Sequence, residues 1–206
     1  MKKIHILLFI FICRLSLAQE INLQTGDFLF QVGKGSDFEK AIVSSTQRLE
    51  NLNFSHVGVV YIEDDIFVLE AEPDKGVVKS TLKEFIENGD ITVVGRLKEE
   101  YQYTIPDAIN RILKHIGGPY NFTFQVLGEG LYCSELIQKN FILNNGEHLF
   151  EPISMSFRNN DTGEIHDFWI QYYDKYGVSI PEGEDGSNPN MIATSQHIYI
   201  IGIIDN

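Results

Sequence analysis

Through the first hundred residues, short apolar runs rich in β-branched side chains alternate with polar turns. Beyond that point the apolar spacing becomes helical. Phe28-Leu29-Phe30-Gln31-Val32, after Gly26-Asp27, predicts a short strand, and Gly33 to Asp37 a turn. Phe38, Ala41, Ile42 and Leu49 predict a helix over 38–49 packed on one face. Residues 55–62 and 66–71 flank the turn Glu63-Asp64-Asp65 and predict a β-hairpin. Val77 and Val78 suggest a further short strand. Thr81-Leu82-Lys83-Glu84 has the spacing of a capping box and opens a helix to about Glu87. Residues 91–97 read as a strand. Thr104-Ile105-Pro106-Asp107 opens a helix that runs to His115 and stops before Gly117-Gly118-Pro119. Helices are predicted over 133–143 and 167–176, an acidic solvated loop over 181–189, and a closing strand over 196–203. Strands come early, and helices fall between and after them without βαβ regularity. The expectation is an α+β fold, a small mostly antiparallel sheet packed against helices.

The N-terminus has a different logic. Lys2 and Lys3 precede the apolar run Ile4 to Ile12, and Ser16-Leu17-Ala18 places small residues before a cut at Gln19. That order is the one found in secretory signal peptides, and the run is far below the roughly 20 residues a membrane-spanning helix needs. The expected organisation is a signal peptide over 1–18 and a single exported domain over 19–206, periplasmic or secreted. Cys13 does not fit a lipoprotein signal, because Ile12 precedes it where a small residue is needed.

Cleavage changes two quantities. Loss of Lys2, Lys3 and Arg14 takes the formal net charge from −13 to −16. A protein so acidic, with no Lys/Arg cluster, is repelled by nucleic acid and anionic lipid surfaces, so no nucleic-acid partner is expected. The cysteine count falls from two to one. Cys133 then has no partner within the chain, and an unpaired cysteine in an exported protein is either a buried passenger or a reactive thiol. A composition of 43 % hydrophobic and 22 % charged residues is that of an ordinary globular chain, and it excludes collagen and a chain too polar to bury a core.

Cys133 lies where a loop meets a predicted helix, and backbone N–H groups at a helix start favour a thiolate there. His56 begins a predicted strand, where an imidazole can project from the sheet rim. Glu70 lies on the neighbouring strand of the hairpin. A cysteine nucleophile needs an adjacent base, and the base needs a third group to hold its tautomer, so the three together point to nucleophilic catalysis. Glu72 shares Glu70's face and competes for the third role.

In order along the chain come Gly26-Asp27, Phe54-Ser55-His56-Val57-Gly58-Val59-Val60, Leu69-Glu70-Ala71, Gly118-Pro119-Tyr120-Asn121-Phe122 and Leu131-Tyr132-Cys133-Ser134-Glu135-Leu136. This series, over roughly residues 26–140, resembles the circularly permuted papain-like amidases, the YiiX/YebB-like branch of the NlpC superfamily, in which the histidine precedes the cysteine. The resemblance implies a sheet packed against the helix that presents Cys133, His56 as base and Glu70 as the orienting residue. It also places Tyr120 at the substrate pocket or the oxyanion, and it offers no counterpart for residues 147–189. No metal or cofactor is expected: the remaining histidines are scattered, and Glu182-Gly183-Glu184-Asp185 lacks the ligand spacing of a calcium loop.

Three functions fit this pattern. The first is a thiol amidase or peptidase acting on a small peptide or an N-acyl or O-acyl substrate. The second is an acyltransferase similar to the lecithin-retinol-acyltransferase-like proteins, and the third a binding module with an inert Cys133. An apolar groove favours the second, and a polar cleft with acceptors for amines favours a peptide substrate.

Overall fold

The computed structural model describes residues 21–46 and 53–204. The expected signal peptide, Cys13 and the last residues of the first predicted helix lie outside them. In chain order the elements are β1 (Phe28–Gly33), α1 (Asp37–Ser45), β2 (His56–Ile62), β3 (Ile66–Glu72), β4 (Gly76–Thr81), α2 (Leu82–Asn88) and β5 (Gly89–Leu97). A 3₁₀ turn over Glu99–Thr104 leads into α3 (Ile105–Leu113). Then follow α4 (Cys133–Asn140), β6 (Ile153–Ser154), α5 (Asp167–Tyr176), β7 (Asp185–Gly186), α6 (Pro189–Ala193) and β8 (Ile198–Ile204).

Six strands form one sheet in the order β4-β3-β2-β1-β5-β8, and every neighbouring pair is antiparallel. This is the expected α+β arrangement. The strands read as near-continuous apolar runs because both faces of the sheet are covered. Phe28, Phe30, Val57, Val59, Leu69 and Val93 pack into the larger core with α3, α4 and the C-terminal part of the chain. Leu29, Val60, Val68 and Val94 point the other way, onto Phe85 of α2 and Leu23. Fully burying one such side chain contributes roughly 1.5–3 kcal/mol.

α4 is buried on nearly every side: only Lys139 of its eight residues is substantially exposed. A helix buried all round belongs at the centre of a fold, and α4 packs against β2 and β3. Its polar residues are therefore all engaged. Gln138 donates to the Phe150 carbonyl at 3.2 Å, Asn140 to the Leu136 carbonyl at 2.7 Å, and Arg111 of α3 caps the Asn140 carbonyl at 3.0 Å.

Three boundaries differ from the sequence-based expectation. α1 ends at Ser45 rather than at 49, because Thr46 is extended (φ −116°, ψ 157°). α4 ends at Asn140 rather than at 143: Phe141 is extended, and its carbonyl accepts from Leu149 at 2.8 Å, turning the chain into a short bridge with residues 147–149. The segment over 181–189 is not simply a solvated acidic loop. Asp185 and Gly186 pair with β6, the Glu182 carboxylate accepts the Phe157 N–H at 2.8 Å and faces Arg158, and Pro189 is the first residue of α6. Asn188 caps that helix by accepting from the Met191 N–H at 2.8 Å.

Candidate active site

His56 is the first residue of β2, at the rim of the sheet, where it pairs with Gln31 of β1. The chain entering β2 is held by a fully buried asparagine far away in sequence. The Asn190 side-chain oxygen accepts the Phe54 N–H at 2.9 Å. Its amide nitrogen donates to the Phe54 carbonyl at 3.0 Å, the Asn53 side chain at 2.8 Å and Thr46 at 2.9 Å. With donors and acceptor all used, the buried amide carries no desolvation penalty and fixes the two residues before Ser55 and His56.

The start of α4 is set just as tightly. Gly130, at φ +87°, lets the chain pass over Pro119, whose carbonyl would lie only 2.1 Å from any Cβ at that position. Leu131 donates to the same carbonyl. Tyr132 is extended, and its N–H is accepted by the Glu135 carboxylate at 3.3 Å, so the first residue with helical geometry is Cys133. Cys133 therefore stands in the first turn, among the N–H groups that have no partner within the helix.

These elements bring His56, Glu70 and Cys133 together. His56 Nε2 lies 2.6 Å from Glu70 Oε2, which leaves Nδ1 as the ring nitrogen available to Cys133, whose side chain acts on the same imidazole. Glu70, 2 % exposed, is held on its other oxygen by the Ser80 hydroxyl at 2.5 Å. Burial alone would pull the imidazole down. The hydrogen bonds and negative charges of Cys133 and Glu70 outweigh it and push His56 up to about 10. Burial likewise works to raise the Glu70 carboxyl, but His56, Ser80 and the charge of Lys75 hold it below the usual range. The imidazole ring thus sits between the Glu70 carboxylate and the Cys133 side chain, and both favour its protonated form.

Glu72 is engaged elsewhere, 3.1 Å from Lys75. The contrast yields a test. Glu70→Gln should lower kcat/KM by about ten- to a thousandfold, and Glu72→Gln should stay within about threefold of wild type. Loss of the Glu70 charge lowers the imidazolium's hold on its proton. The alkaline fall in rate, near pH 10 in the wild type, should therefore move toward neutrality in Glu70→Gln. Rate–pH profiles of both variants check it, and a crippled Glu72→Gln beside a near-normal Glu70→Gln would reverse the assignment.

Cys133, 6 % exposed, forms part of the wall of a cavity of about 400 Å³. Tyr120 lines it too, 6 % exposed, its ring tilted against Phe122 and edge-on to Phe124. Burial and the nearby Cys133 charge push its phenol well above its ordinary range, so Tyr120 remains a hydrogen-bond donor throughout the working pH range. Several participants have no signature in the sequence. Ser80 supports Glu70. Ser187, from the C-terminal part of the chain, donates through its backbone to the Tyr132 hydroxyl at 3.0 Å and through its own hydroxyl to Ser134 at 3.1 Å. Asp27, by contrast, has a structural role: buried, it takes a bidentate pair from Arg96 at 2.6 and 2.7 Å.

Among the described residues no helix is long and apolar enough to cross a membrane, and no three His, Cys, Asp or Glu side chains group so as to hold a metal ion. A family profile described as permuted papain-like amidase enzyme, YaeF/YiiX, C92 family, matches residues 22–202. The match extends well past the residues 26–140 that carry the sequence resemblance and takes in the C-terminal segment that walls the cavity. The "Uncharacterized protein YiiX" of Escherichia coli (strain K12) is 28 % identical over 177 residues, covering 82 % of this chain and 81 % of that one. A crystal structure described as that of metalloprotein yiiX from Escherichia coli O157:H7 superposes with a TM-score of 0.67 at 24 % identity, over 89 % of this chain and 98 % of the other. That likeness concerns the fold, and no step below is routed through a metal.

Proposed function

The chain belongs to the permuted papain-like amidase family, and from that premise we propose that it is an exported cysteine hydrolase that opens an amide bond through a thioester on Cys133. The observation that carries this reading is the unbroken series Ser80–Glu70–His56–Cys133, ending at a helix start in a cavity wall. The Cys133 thiolate attacks the acyl carbon, and the carbonyl electrons move onto oxygen. In this reading the Cys133 N–H and the protonated Tyr120 phenol receive that oxyanion. As the tetrahedral intermediate collapses, the C–N bond breaks and the imidazolium proton passes to the leaving amine. His56 then takes a proton from water, whose oxygen adds to the thioester, and the acid and the thiolate are released. Glu70 holds the ring by Nε2 and stabilises its positive form, and Ser80 holds Glu70. Substrates of this class include peptides, cell-wall peptides among them, and N-acyl compounds.

Intact mass of the exported protein, alone and after mixing with an activated acyl ester, tests both parts. The expected mass begins at Gln19, and the acyl donor adds one acyl group on Cys133. A retained N-terminus would refute the export reading, and an unlabelled cysteine would refute the catalytic one.

A further inference from the structure

The wall of the cavity beside Cys133 is chemically unusual for a site that would take peptides. Among the described residues, no Asp, Glu, Lys, Arg or His lines it. One part is apolar, with Ile42, Phe124, Met155, Phe157, Trp169 and Met191. Another part is hydroxylic, with Ser55, Ser134, Ser154 and Ser187. A free α-amine, a lysine ammonium or a glutamyl carboxylate entering here would give up part of its hydration and meet no opposite charge apart from the reacting Cys133–His56 pair itself, which is unfavourable. The volume is that of a small-ligand pocket.

We infer that this cavity is the acyl subsite, and that it takes an uncharged, largely apolar acyl group. The inference rests on Cys133 being the acylated nucleophile. It narrows the substrate to neutral N-acyl or O-acyl compounds, and it excludes peptides that present a charge on the acyl side of the scissile bond.

Three p-nitrophenyl esters of matched chain length separate the possibilities: hexanoyl, 6-(trimethylammonio)hexanoyl and adipoyl. In each, the Sγ–acyl carbon bond forms as the bond to oxygen breaks, and nitrophenolate leaves as the anion. Acylation of Cys133 is followed by intact mass and by nitrophenolate release. Hexanoyl should label at least about a hundredfold faster than either charged donor. Met191→Glu, at a partly buried position of the wall, should raise the rate of the cationic donor relative to hexanoyl by about tenfold or more.

Labelling of Cys133 by a charged donor as fast as by hexanoyl overturns the inference and leaves the nucleophile assignment standing. A donor preference unmoved by Met191→Glu overturns the assignment of this cavity as the acyl subsite. Failure of all three donors to label Cys133 overturns the catalytic reading, and the subsite with it.

Discussion

Cys133→Ala should lower kcat/KM for any acyl donor by about 10⁴-fold or more and abolish the covalent adduct. The neighbouring hydroxyls of Ser134 and Ser187 bond to each other rather than to His56. The fold should survive. The substitution removes one atom from the first turn of a helix whose remaining seven residues keep their packing and hydrogen bonds, which costs about 1 kcal/mol. Circular dichroism and thermal unfolding of the variant, beside its steady-state rates, separate loss of chemistry from loss of structure. A Cys133→Ala protein retaining a tenth of wild-type turnover would show that hydrolysis does not pass through a thioester.

His56 should rank next, with a loss of about 10²–10⁴-fold, but the choice of replacement matters. Alanine would strand the buried Glu70 carboxylate without its cation, and breaking a buried pair in this way costs about 3–5 kcal/mol. His56→Gln keeps a donor for Glu70 and removes only the ability to carry a proton. In that variant iodoacetamide should alkylate Cys133 more slowly at neutral pH, by about tenfold or more. The gap should close as pH rises toward 10, where the wild-type imidazolium itself gives up its proton and hydroxide ionises both thiols alike. Alkylation rates from pH 5 to 10 check this. Superimposable profiles for the two proteins would mean that His56 does not sustain the thiolate.

What was legible in the sequence was whatever announces itself locally. Alternation and a three-residue acidic turn define the β2–β3 hairpin, and Thr81 with Glu84 forms the capping box expected of it. Gly117-Gly118-Pro119 ends the α3 region, and Cys133 at a loop–helix junction marks the start of α4. His56 and Glu70 could be paired on paper because both lie on one short hairpin. The parts that escaped are those fixed only by tertiary contact. Asn190 meets Phe54 across 136 residues, Ser187 meets Ser134 across 53, and neither has periodicity or composition to mark it. α4 stops short because the Phe141 carbonyl turns to Leu149, which no propensity encodes. α6 is a different case. Asn188-Pro189 is a readable helix start, a capping residue followed by proline at the first position, but the acidic residues before it gave the whole segment the look of a loop.

The C-terminal brace sets a timetable for the enzyme. Chain order is base, then nucleophile, then the segment 187–193 that ties the two: Ser187 grips the nucleophile's helix and Asn190 grips the strand entry that leads to the base. A chain threaded outward N-terminus first therefore holds an unassembled triad until that segment has crossed. Under the export proposed above, reactivity would begin only at the end of translocation, and the compartment that makes the chain would not meet the assembled triad.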